Sequence, residues 1–224
     1  MIIAIDGPAG SGKSTVARGL ARRLGVTYLD SGALYRAVTL AALERGLDLD
    51  DGETLGRLAA DTGIDLRERE HDNVQVLLDG RDVSDEIRAP VVTGASSRVA
   101  AHQQVRRALL GKQRELIGAG DWVVEGRDIG TVVAPDATIK VFLTADPAER
   151  ARRRAEELRR RGVAADADDT QRAIEQRDRL DSTRSAAPLR QADDAVEIDT
   201  TGLDAAEVIE RVAGLAQQAQ AKPG

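Results

Sequence analysis

Short apolar runs alternate along the chain with longer stretches that repeat apolar residues at helical intervals. Residues 2–5 form a β-branched run, and residues 13–24 then carry apolar side chains at about every fourth position. A second apolar run at residues 26–29 precedes a helical stretch that ends at Gly46. This order of strand, helix, strand and helix predicts an α/β fold with a parallel sheet.

The pattern changes between about residues 64 and 85, where apolar and polar positions alternate. Asp79 and Gly80 form a turn signal that is typical of a β-hairpin. We therefore expect a small antiparallel insert here, followed by helices over about residues 90–118.

Three further apolar runs predict buried strands and bring the expected strands of the main sheet to five. They lie at residues 122–124, 139–143 and 195–198. Trp122 begins the first of these runs, so it is expected in the core or at the end of the sheet.

Helical signals also surround the last predicted strands. Asp146 is followed by proline and, three positions after the cap, by a glutamate, which predicts the start of an arginine-rich helix that continues to Arg161. Residues 162–169 form a polar break, and a second helix is expected over about residues 170–180. Asp204 is expected to cap the final helix.

Composition narrows the possible functions of the chain. Its 224 residues suit one α/β domain with a small appended piece. Cysteine is absent, and His71 and His102 have no partner constellation, so any metal is expected on oxygen ligands. The net charge of −6 argues against general binding to nucleic acid or anionic membranes. The sequence shows no membrane-spanning apolar stretch and no leader, which predicts a soluble cytoplasmic protein.

A phosphate-binding motif lies between the first predicted strand and the first predicted helix. Residues 7–14 satisfy the pattern GxxxxGK(S/T), in which glycines let backbone N–H groups turn toward an anion. The helix directs the positive end of its dipole at the phosphates, Lys13 reaches the β- and γ-phosphates, and Ser14 offers a hydroxyl to magnesium. The predicted ATP-binding residues are Gly7, Pro8, Ala9, Gly10, Ser11, Gly12, Lys13, Ser14 and Thr15.

The motif alone does not distinguish a kinase from a hydrolytic ATPase or a nucleotide switch. The sequence has no NKxD segment for guanine selection and no long apolar strand that ends in Asp-Glu. Glu125, directly after the run at residues 122–124, is the nearest candidate for a carboxylate beside the nucleotide. Transfer of the phosphoryl group to a bound acceptor is therefore the favoured chemistry.

Five segments carry a family resemblance that extends over almost the whole chain. They are IDGPAGSGKST from Ile5, LDSGALYR from Leu29, LLDGRDVSDEIR from Leu77, EGRDIGTVV from Glu125 and RDRLDSTRSAAPL from Arg177. Together they resemble the bacterial cytidylate kinases, which are nucleoside monophosphate kinases. The resemblance implies transfer of the γ-phosphoryl group of ATP to CMP or dCMP, with Mg²⁺ as cofactor.

The same resemblance implies a P-loop NTPase fold, with a five-stranded parallel sheet flanked by helices, a lid and an antiparallel insert. The chain 1–224 would be a single kinase domain with three parts. The core would comprise about residues 1–30, 101–148 and 170–224, the monophosphate-binding region with the insert about 31–100, and the lid about 149–169.

The resemblance also assigns residues to the acceptor nucleotide. The cytosine amine would donate to Asp128, whereas uracil would place a carbonyl there and leave two acceptors facing each other. Positions 177, 181 and 184 share one helix face, which suits either convergence on the ribose or an intrahelical salt bridge. The implied CMP-binding residues are Ser31, Tyr35, Arg36 and Arg127 at the phosphate, Ser97, Arg106 and Asp128 at the base, and Arg177, Asp181 and Arg184 at the ribose.

Arginines are concentrated in the segment that resembles the lid, where they would close over the triphosphate. Glutamates are interleaved with them, so a solvated, salt-bridged helix is the alternative. Arg150 is expected to contact ATP, and Arg153 and Arg154 match the family's pattern best. The expected catalytic residues are Lys13, Arg127, Arg153 and Arg154, and the expected magnesium-binding residues are Ser14 and, through water, Glu125.

Two other functions stay open at this point. The chain could phosphorylate a different nucleoside monophosphate or a small metabolite such as shikimate, although Arg106 and Asp128 favour cytosine. It could also be a regulatory module that binds ATP without turnover, although the intact residues Lys13, Ser14, Arg36 and Arg127 favour catalysis. The expected partners are ATP and CMP or dCMP, without nucleic acid or membrane, and the protein is expected to be a monomer.

Overall fold

The computed structural model describes residues 1–69, 73–160 and 162–221. The strands of this part of the chain are β1 (Ile2–Asp6), β2 (Thr27–Asp30), β3 (Ile64–Arg69), β4 (Asn73–Leu78), β5 (Arg81–Asp82), β6 (Trp122–Gly126), β7 (Ile139–Thr144) and β8 (Val196–Asp199). Its helices are α1 (Lys13–Leu24), α2 (Ser31–Glu44), α3 (Gly52–Asp61), α4 (Pro90–Ala101), α5 (Gln103–Ile117), α6 (Pro147–Arg160), α7 (Ala167–Thr183) and α8 (Ala205–Ala221). A 3₁₀ turn spans Glu86–Arg88 and a π-helical turn spans Ile129–Val133.

Five strands form one parallel sheet in the order β2-β6-β1-β7-β8. Parallel neighbours need crossover connections, and helices of the chain provide them. The predicted five-stranded parallel sheet flanked by helices is therefore confirmed. β2 begins and ends one residue later than the predicted run at residues 26–29.

The central strand β1 is covered on both faces of the sheet. Ile3 and Ile5 pack in one apolar cluster with residues of α1 and α8. Ala4, which points to the opposite face, packs in a second cluster with Val124 of β6. Because both faces are buried, the strand is apolar until its carboxyl end, as strands of parallel sheets usually are.

The predicted insert is a three-stranded antiparallel sheet in the order β3-β4-β5. Asp79, with a φ of 49°, and Gly80, with a φ of 84°, form the turn between β4 and β5. Ile64 and Val76 are buried in the same apolar cluster as residues of α2, so the insert packs against that helix. His71 lies outside the described residues.

α3 is a helix that the sequence pattern did not predict. Its cap residue Asp51 accepts a hydrogen bond of 3.0 Å from the amide of Thr54. The helix packs closely on α5, where a Cβ built at Gly56 would lie 2.5 Å from the Cβ of Gln104. Glycine therefore permits a contact that a larger residue would prevent.

The helices expected over residues 90–118 are present, and the expected start of the next-to-last helix is wrong. The helical stretch over residues 90–118 is divided into α4 and α5 at His102, whose Nε2 atom lies 2.8 Å from the carbonyl oxygen of Leu49. α7 begins inside the expected polar break because Asp166 caps its first amides. The expected helix end at Arg161 lies outside the described residues.

Trp122 begins β6 at the end of the sheet, as expected. Among the described helices, none combines the length and apolar character that crossing a bilayer requires.

Candidate active site

The phosphate-binding motif forms a loop between β1 and α1, at the carboxyl end of the central strand. The loop takes positive φ values at Gly7 (148°) and Gly10 (77°). A Cβ at Gly7 would lie 2.1 Å from the carbonyl oxygen of Leu143, so a larger residue does not fit. Because the first amides of a helix are free and its dipole attracts anions, this loop suits a phosphate chain.

Lys13 is buried at the start of α1, with 6% of its surface exposed. Its ammonium group donates to the carbonyl oxygen of Pro8 at 2.6 Å and lies 3.5 Å from the hydroxyl of Ser11. Burial lowers the pKa of Lys13 well below its usual value, and the positive charge of Arg127 lowers it further. An anion in the loop would oppose both effects because it favours the charged ammonium.

Glu125 lies at the carboxyl end of β6 and is buried beside the loop. The hydroxyl of Ser14 donates to its Oε2 atom at 2.8 Å, and the hydroxyl of Tyr28 donates to Oε1. Burial raises the pKa of Glu125, and the carboxylate of Asp30 adds to this rise. Magnesium prefers carboxylate and hydroxyl oxygens, so Ser14 and Glu125 fit the expected ion.

Asp128 and Asp181 lie at the centre of a network of arginines next to the loop. Arg106 donates to Asp128, and Arg184 lies 3.5 Å from the same carboxylate. Arg127 donates from Nε to Oδ2 of Asp181 at 3.0 Å, and Arg184 approaches Asp181 at 3.8 Å. The residues predicted near position 128 and those predicted near position 181 are far apart in the sequence, and the fold brings them together in one site.

Within the described part of the chain, three buried nitrogen atoms of arginines predicted for the acceptor have no hydrogen-bond partner. They are Nε of Arg36, Nε of Arg177 and Nη2 of Arg184. Burial lowers the pKa of Arg177 to about 10, and the nearby charge of Arg127 acts in the same direction. Buried donors normally have acceptors, so the site suits an anionic ligand that supplies them.

One cleft of about 600 Å³ connects the phosphate loop with this network. Ser31 and Tyr35 of α2 and Ser97 of α4 line it. The hydroxyl of Ser31 donates to the carbonyl oxygen of Glu125 at 2.7 Å, and the guanidinium of Arg106 lies 5.2 Å from the ring centre of Tyr35. All the residues predicted for the acceptor nucleotide line this cleft.

Arg150 lies outside the cleft lining, although it is a predicted ATP contact. Its side chain is buried at the start of α6. Nη1 donates to the carbonyl oxygen of Ala9 at 3.0 Å and to the carboxylate of Asp178. Nε donates to the carbonyl oxygen of Ala145 at 3.2 Å. These bonds hold the phosphate loop against α6 and α7, and the contact of Arg150 with ATP stays a prediction.

Arg153 and Arg154 line the cleft, and both are engaged by acceptors of the protein. Arg153 donates to Glu149 at 2.8 Å and to the carbonyl oxygen of Thr200 at 2.7 Å. Arg154 donates to Glu157 at 2.7 Å. The salt-bridged helix, considered above as the alternative to a lid, is therefore present in this structure.

Asp30, Arg88 and Asp178 are among the residues of the site that have no assignment from the sequence. Asp30 caps α2 and accepts a hydrogen bond of 2.7 Å from Arg36, which it holds in the cleft. Arg88 lines the cleft at the end of the insert. Asp178 anchors Arg150 and accepts a hydrogen bond of 3.1 Å from the amide of Ala9. Each lies inside one of the five segments that carry the family resemblance, so that resemblance is the signal that could have identified them.

The fold and the site together define a class of protein. A parallel sheet whose central strand ends in this glycine-rich loop is the P-loop NTPase fold, and an arginine-rich second half-site beside it is typical of a P-loop phosphotransferase. Comparison with known families is more specific. The family model described as cytidylate kinase matches residues 3–218, so the chain belongs to the cytidylate kinase family.

Relatives of similar length have the same family name. A cytidylate kinase from Pelotomaculum thermopropionicum is 52% identical over 210 residues, which cover 94% of this chain and 93% of the relative. One from Geobacillus kaustophilus is 51% identical over 210 residues, with the same coverage. The fold also matches a solved structure of an uncharacterized protein from Eubacterium ventriosum, which is 13% identical in sequence. The match covers 97% of this chain and 98% of that protein's chain, with a TM-score of 0.54. That likeness supports the fold alone.

Proposed function

We propose that the chain transfers the γ-phosphoryl group of ATP to CMP or dCMP, which yields ADP and CDP or dCDP. The observation that carries this proposal is the single cleft in which the phosphate loop faces the network around Asp128 and Asp181. The loop is the donor half of the site and the network is the acceptor half. We further propose one kinase domain with the core, monophosphate-binding region and lid given above.

The acceptor phosphate is proposed to bind Arg36 and Arg127, with Ser31 and Tyr35 beside them. The unpaired Nε atom of Arg36 supports this placement because a phosphate oxygen would be its acceptor. A phosphate monoester has a second pKa of about 6, so its oxygen is largely ionised at neutral pH and needs no general base. Catalysis then depends on alignment and on neutralisation of charge.

Cytosine is proposed to donate its amine to Asp128 and to accept from Arg106 and Ser97. The hydrogen bond from Arg106 to Asp128 supports this role, because it orients the carboxylate before the base binds. UMP would place a carbonyl against the carboxylate of Asp128, at a cost of about 1–3 kcal/mol. The ribose would then lie against Asp181 and Arg177, with Arg184 behind them.

Charge on the transferred group is proposed to be neutralised from both sides of the cleft. Arg153 and Arg154 would exchange Glu149 and Glu157 for phosphate oxygens as the lid closes, which also excludes water from the reacting phosphate. The proposed catalytic residues are Lys13, Arg127, Arg153 and Arg154.

Magnesium is proposed to lie near Ser14 and, through water, Glu125. The 2.8 Å contact between their oxygens supports the position, because both would be ligands or neighbours of the ion. When bound, the ion would neutralise charge on the phosphates of ATP.

A phosphoryl-acceptor scan with MgATP tests the proposed function. CMP, dCMP, UMP, AMP and shikimate are compared by ADP release and by identification of the phosphorylated product. We expect CDP and dCDP to form, and their formation to be lost in Lys13→Ala. Lys112→Ala, which changes a lysine of α5 outside the cleft lining, is the matched control. Preference for UMP, AMP or shikimate would contradict the proposed acceptor. Full activity in Lys13→Ala would contradict the proposed ATP site.

A further inference from the structure

Asp6 is a buried carboxylate that the proposed mechanism does not use. It is the last residue of β1, directly before Gly7, and 5% of its surface is exposed. Its Oδ1 atom accepts a hydrogen bond of 2.9 Å from the amide of Ile129, and its Oδ2 atom accepts one of 2.8 Å from the amide of Gly130. The contact therefore joins the start of the phosphate loop to a segment 123 and 124 positions away.

The π-helical turn needs an acceptor at its start. The amides of Val132 and Val133 bond to the carbonyl oxygen of Asp128, but the amides of Ile129 and Gly130 come too early to bond within the turn. Among the described contacts, the side chain of Asp128 does not cap this turn. Asp6 supplies both acceptors from the neighbouring strand, so Asp128 can face Arg106 instead.

Close packing holds the same segment at both ends. A Cβ at Gly126 would lie 2.6 Å from the hydroxyl of Ser31. One at Gly130 would lie 3.2 Å from Cδ of Lys140 and 3.5 Å from Oδ2 of Asp6. Arg127 and Asp128 lie between these two points, so a shift of the turn would move both side chains relative to the phosphate loop.

A carboxylate at this position carries an energetic cost. Burial raises the pKa of Asp6 to about 6, and the charge of Asp128 adds to the rise. The two backbone hydrogen bonds and the charge of Lys13 oppose it. An amide side chain would avoid the buried charge, but it has a single acceptor and would set its NH₂ group against the second backbone N–H. Because the amides of Ile129 and Gly130 both donate here, the side chain at position 6 must have two acceptor oxygens.

We propose that Asp6 is a positioning residue, which fixes Arg127 and Asp128 relative to the phosphate loop through the main chain of the turn. This inference rests on the proposed roles of those two residues at the acceptor. Asp6 itself is not among the residues that line the cleft. It aligns the acceptor half with the donor half, so its loss lowers turnover and base discrimination more than it weakens ATP binding.

The test begins with Asp6→Asn and with Asp51→Asn as the matched control, since Asp51 caps α3 by the same kind of bond. In Asp6→Asn we expect kcat for CMP to fall about tenfold to a hundredfold, and KM for ATP to change less than about threefold. The ratio of kcat/KM for CMP to that for UMP should fall severalfold. Equal losses for ATP and CMP, or an unchanged ratio, would overturn the proposal.

Hydrogen exchange gives a second readout, in which a local loss of protection is distinguished from a general loss of folding. In the unliganded wild type, the amides of Ile129 and Gly130 should exchange slowly, because both are bonded to Asp6. In Asp6→Asn at least one of them should lose protection, while β1 and β6 keep theirs. Fast exchange of both amides in the wild type would by itself refute the hydrogen bonds to Asp6 on which the proposal rests.

Asp128→Asn separates this inference from the proposed function. If Asp128→Asn lowers the preference for CMP over UMP and Asp6→Asn does not, the role of Asp6 is wrong and the base site stands. If Asp128→Asn leaves that preference unchanged, the proposed base recognition is wrong.

Discussion

Arg127 donates a hydrogen bond of 3.0 Å from Nε to Oδ2 of Asp181, a residue 54 positions further along the chain. The contact joins a residue proposed for the acceptor phosphate to one proposed for the ribose. The side chain of Asp181 is 5% exposed, and Arg177 and Arg184 also approach it, at 3.9 Å and 3.8 Å. The acceptor half is therefore largely ordered before the nucleotide binds, which reduces the entropic cost of binding.

Replacement of Asp181 tests this arrangement. Asp181→Asn keeps the shape of the side chain but leaves Arg127 without a counter-charge and weakens the contact with the ribose. We expect kcat/KM for CMP to fall about tenfold to a hundredfold and KM for ATP to change by less than about threefold. Steady-state kinetics with each substrate varied in turn measures both values.

Asp136→Asn is the control for that experiment, because Asp136 is an exposed carboxylate outside the cleft lining. It should leave both constants unchanged. A fall in ATP affinity as large as that in CMP affinity would show that Asp181 supports the whole fold rather than the acceptor half.

Arg150 and Arg152 should differ in their effect on stability, although both belong to α6. Arg150 bonds to Ala9 and Asp178 with 9% of its side chain exposed, whereas 63% of the Arg152 side chain is exposed. Arg150→Met should lower the free energy of unfolding by about 1–3 kcal/mol, because it removes buried hydrogen bonds. Arg152→Met should lower it by less than about 1 kcal/mol.

Urea unfolding of the two variants measures this difference, and KM for ATP measured alongside it distinguishes the two roles of Arg150. If Arg150→Met were as stable as Arg152→Met and bound ATP much more weakly, Arg150 would be the ATP contact that its place in the sequence predicted.

The pKa of Asp6 predicts how stability should depend on pH. The value rises from 3.8 to about 6 on folding, so between these values the folded state binds more protons than the unfolded state. The contribution of Asp6 to stability is therefore greatest at low pH and is lost as pH rises through about 6. Between pH 5 and pH 8, wild type should lose roughly 1–2 kcal/mol relative to Asp6→Asn.

Chemical denaturation of wild type and Asp6→Asn over this pH range checks the sign. Groups shared by the two proteins cancel in the difference. A difference that stays constant, or that changes in favour of wild type as pH rises, would mean that the folded state does not raise the pKa of Asp6.

The sequence was most informative where local pattern and local structure coincide. The apolar run of β1, the glycine loop and α1 follow one another directly, so neighbouring residues determine them. The hairpin turn at Asp79 and Gly80 is equally local. α3 was missed because Gly52 and Gly56 lower its helix propensity, whereas packing of Gly56 on Gln104 makes the second glycine necessary.

Long-range contacts explain what the sequence could not predict about the site. The break at His102 has no glycine or proline signal and coincides with the contact to Leu49, 53 positions away. Arg150 and Arg153 belong to the same run of arginines. Only the packed structure shows that Arg150 supports the phosphate loop, whereas Arg153 lines the cleft. The hydrogen bond from the amide of Gly130 to the carboxylate of Asp6 spans 124 positions and likewise leaves no local pattern.

A competition between CMP and UMP is the decisive test of whether the site selects a cytosine nucleotide as phosphoryl acceptor. Both nucleotides are supplied at equal concentration with MgATP, and the ratio of CDP to UDP at early times gives the ratio of the two kcat/KM values. Because a uracil carbonyl would face the carboxylate of Asp128 without a proton to share, CDP should exceed UDP by a factor of about 5–150. UDP equal to or greater than CDP would contradict the account.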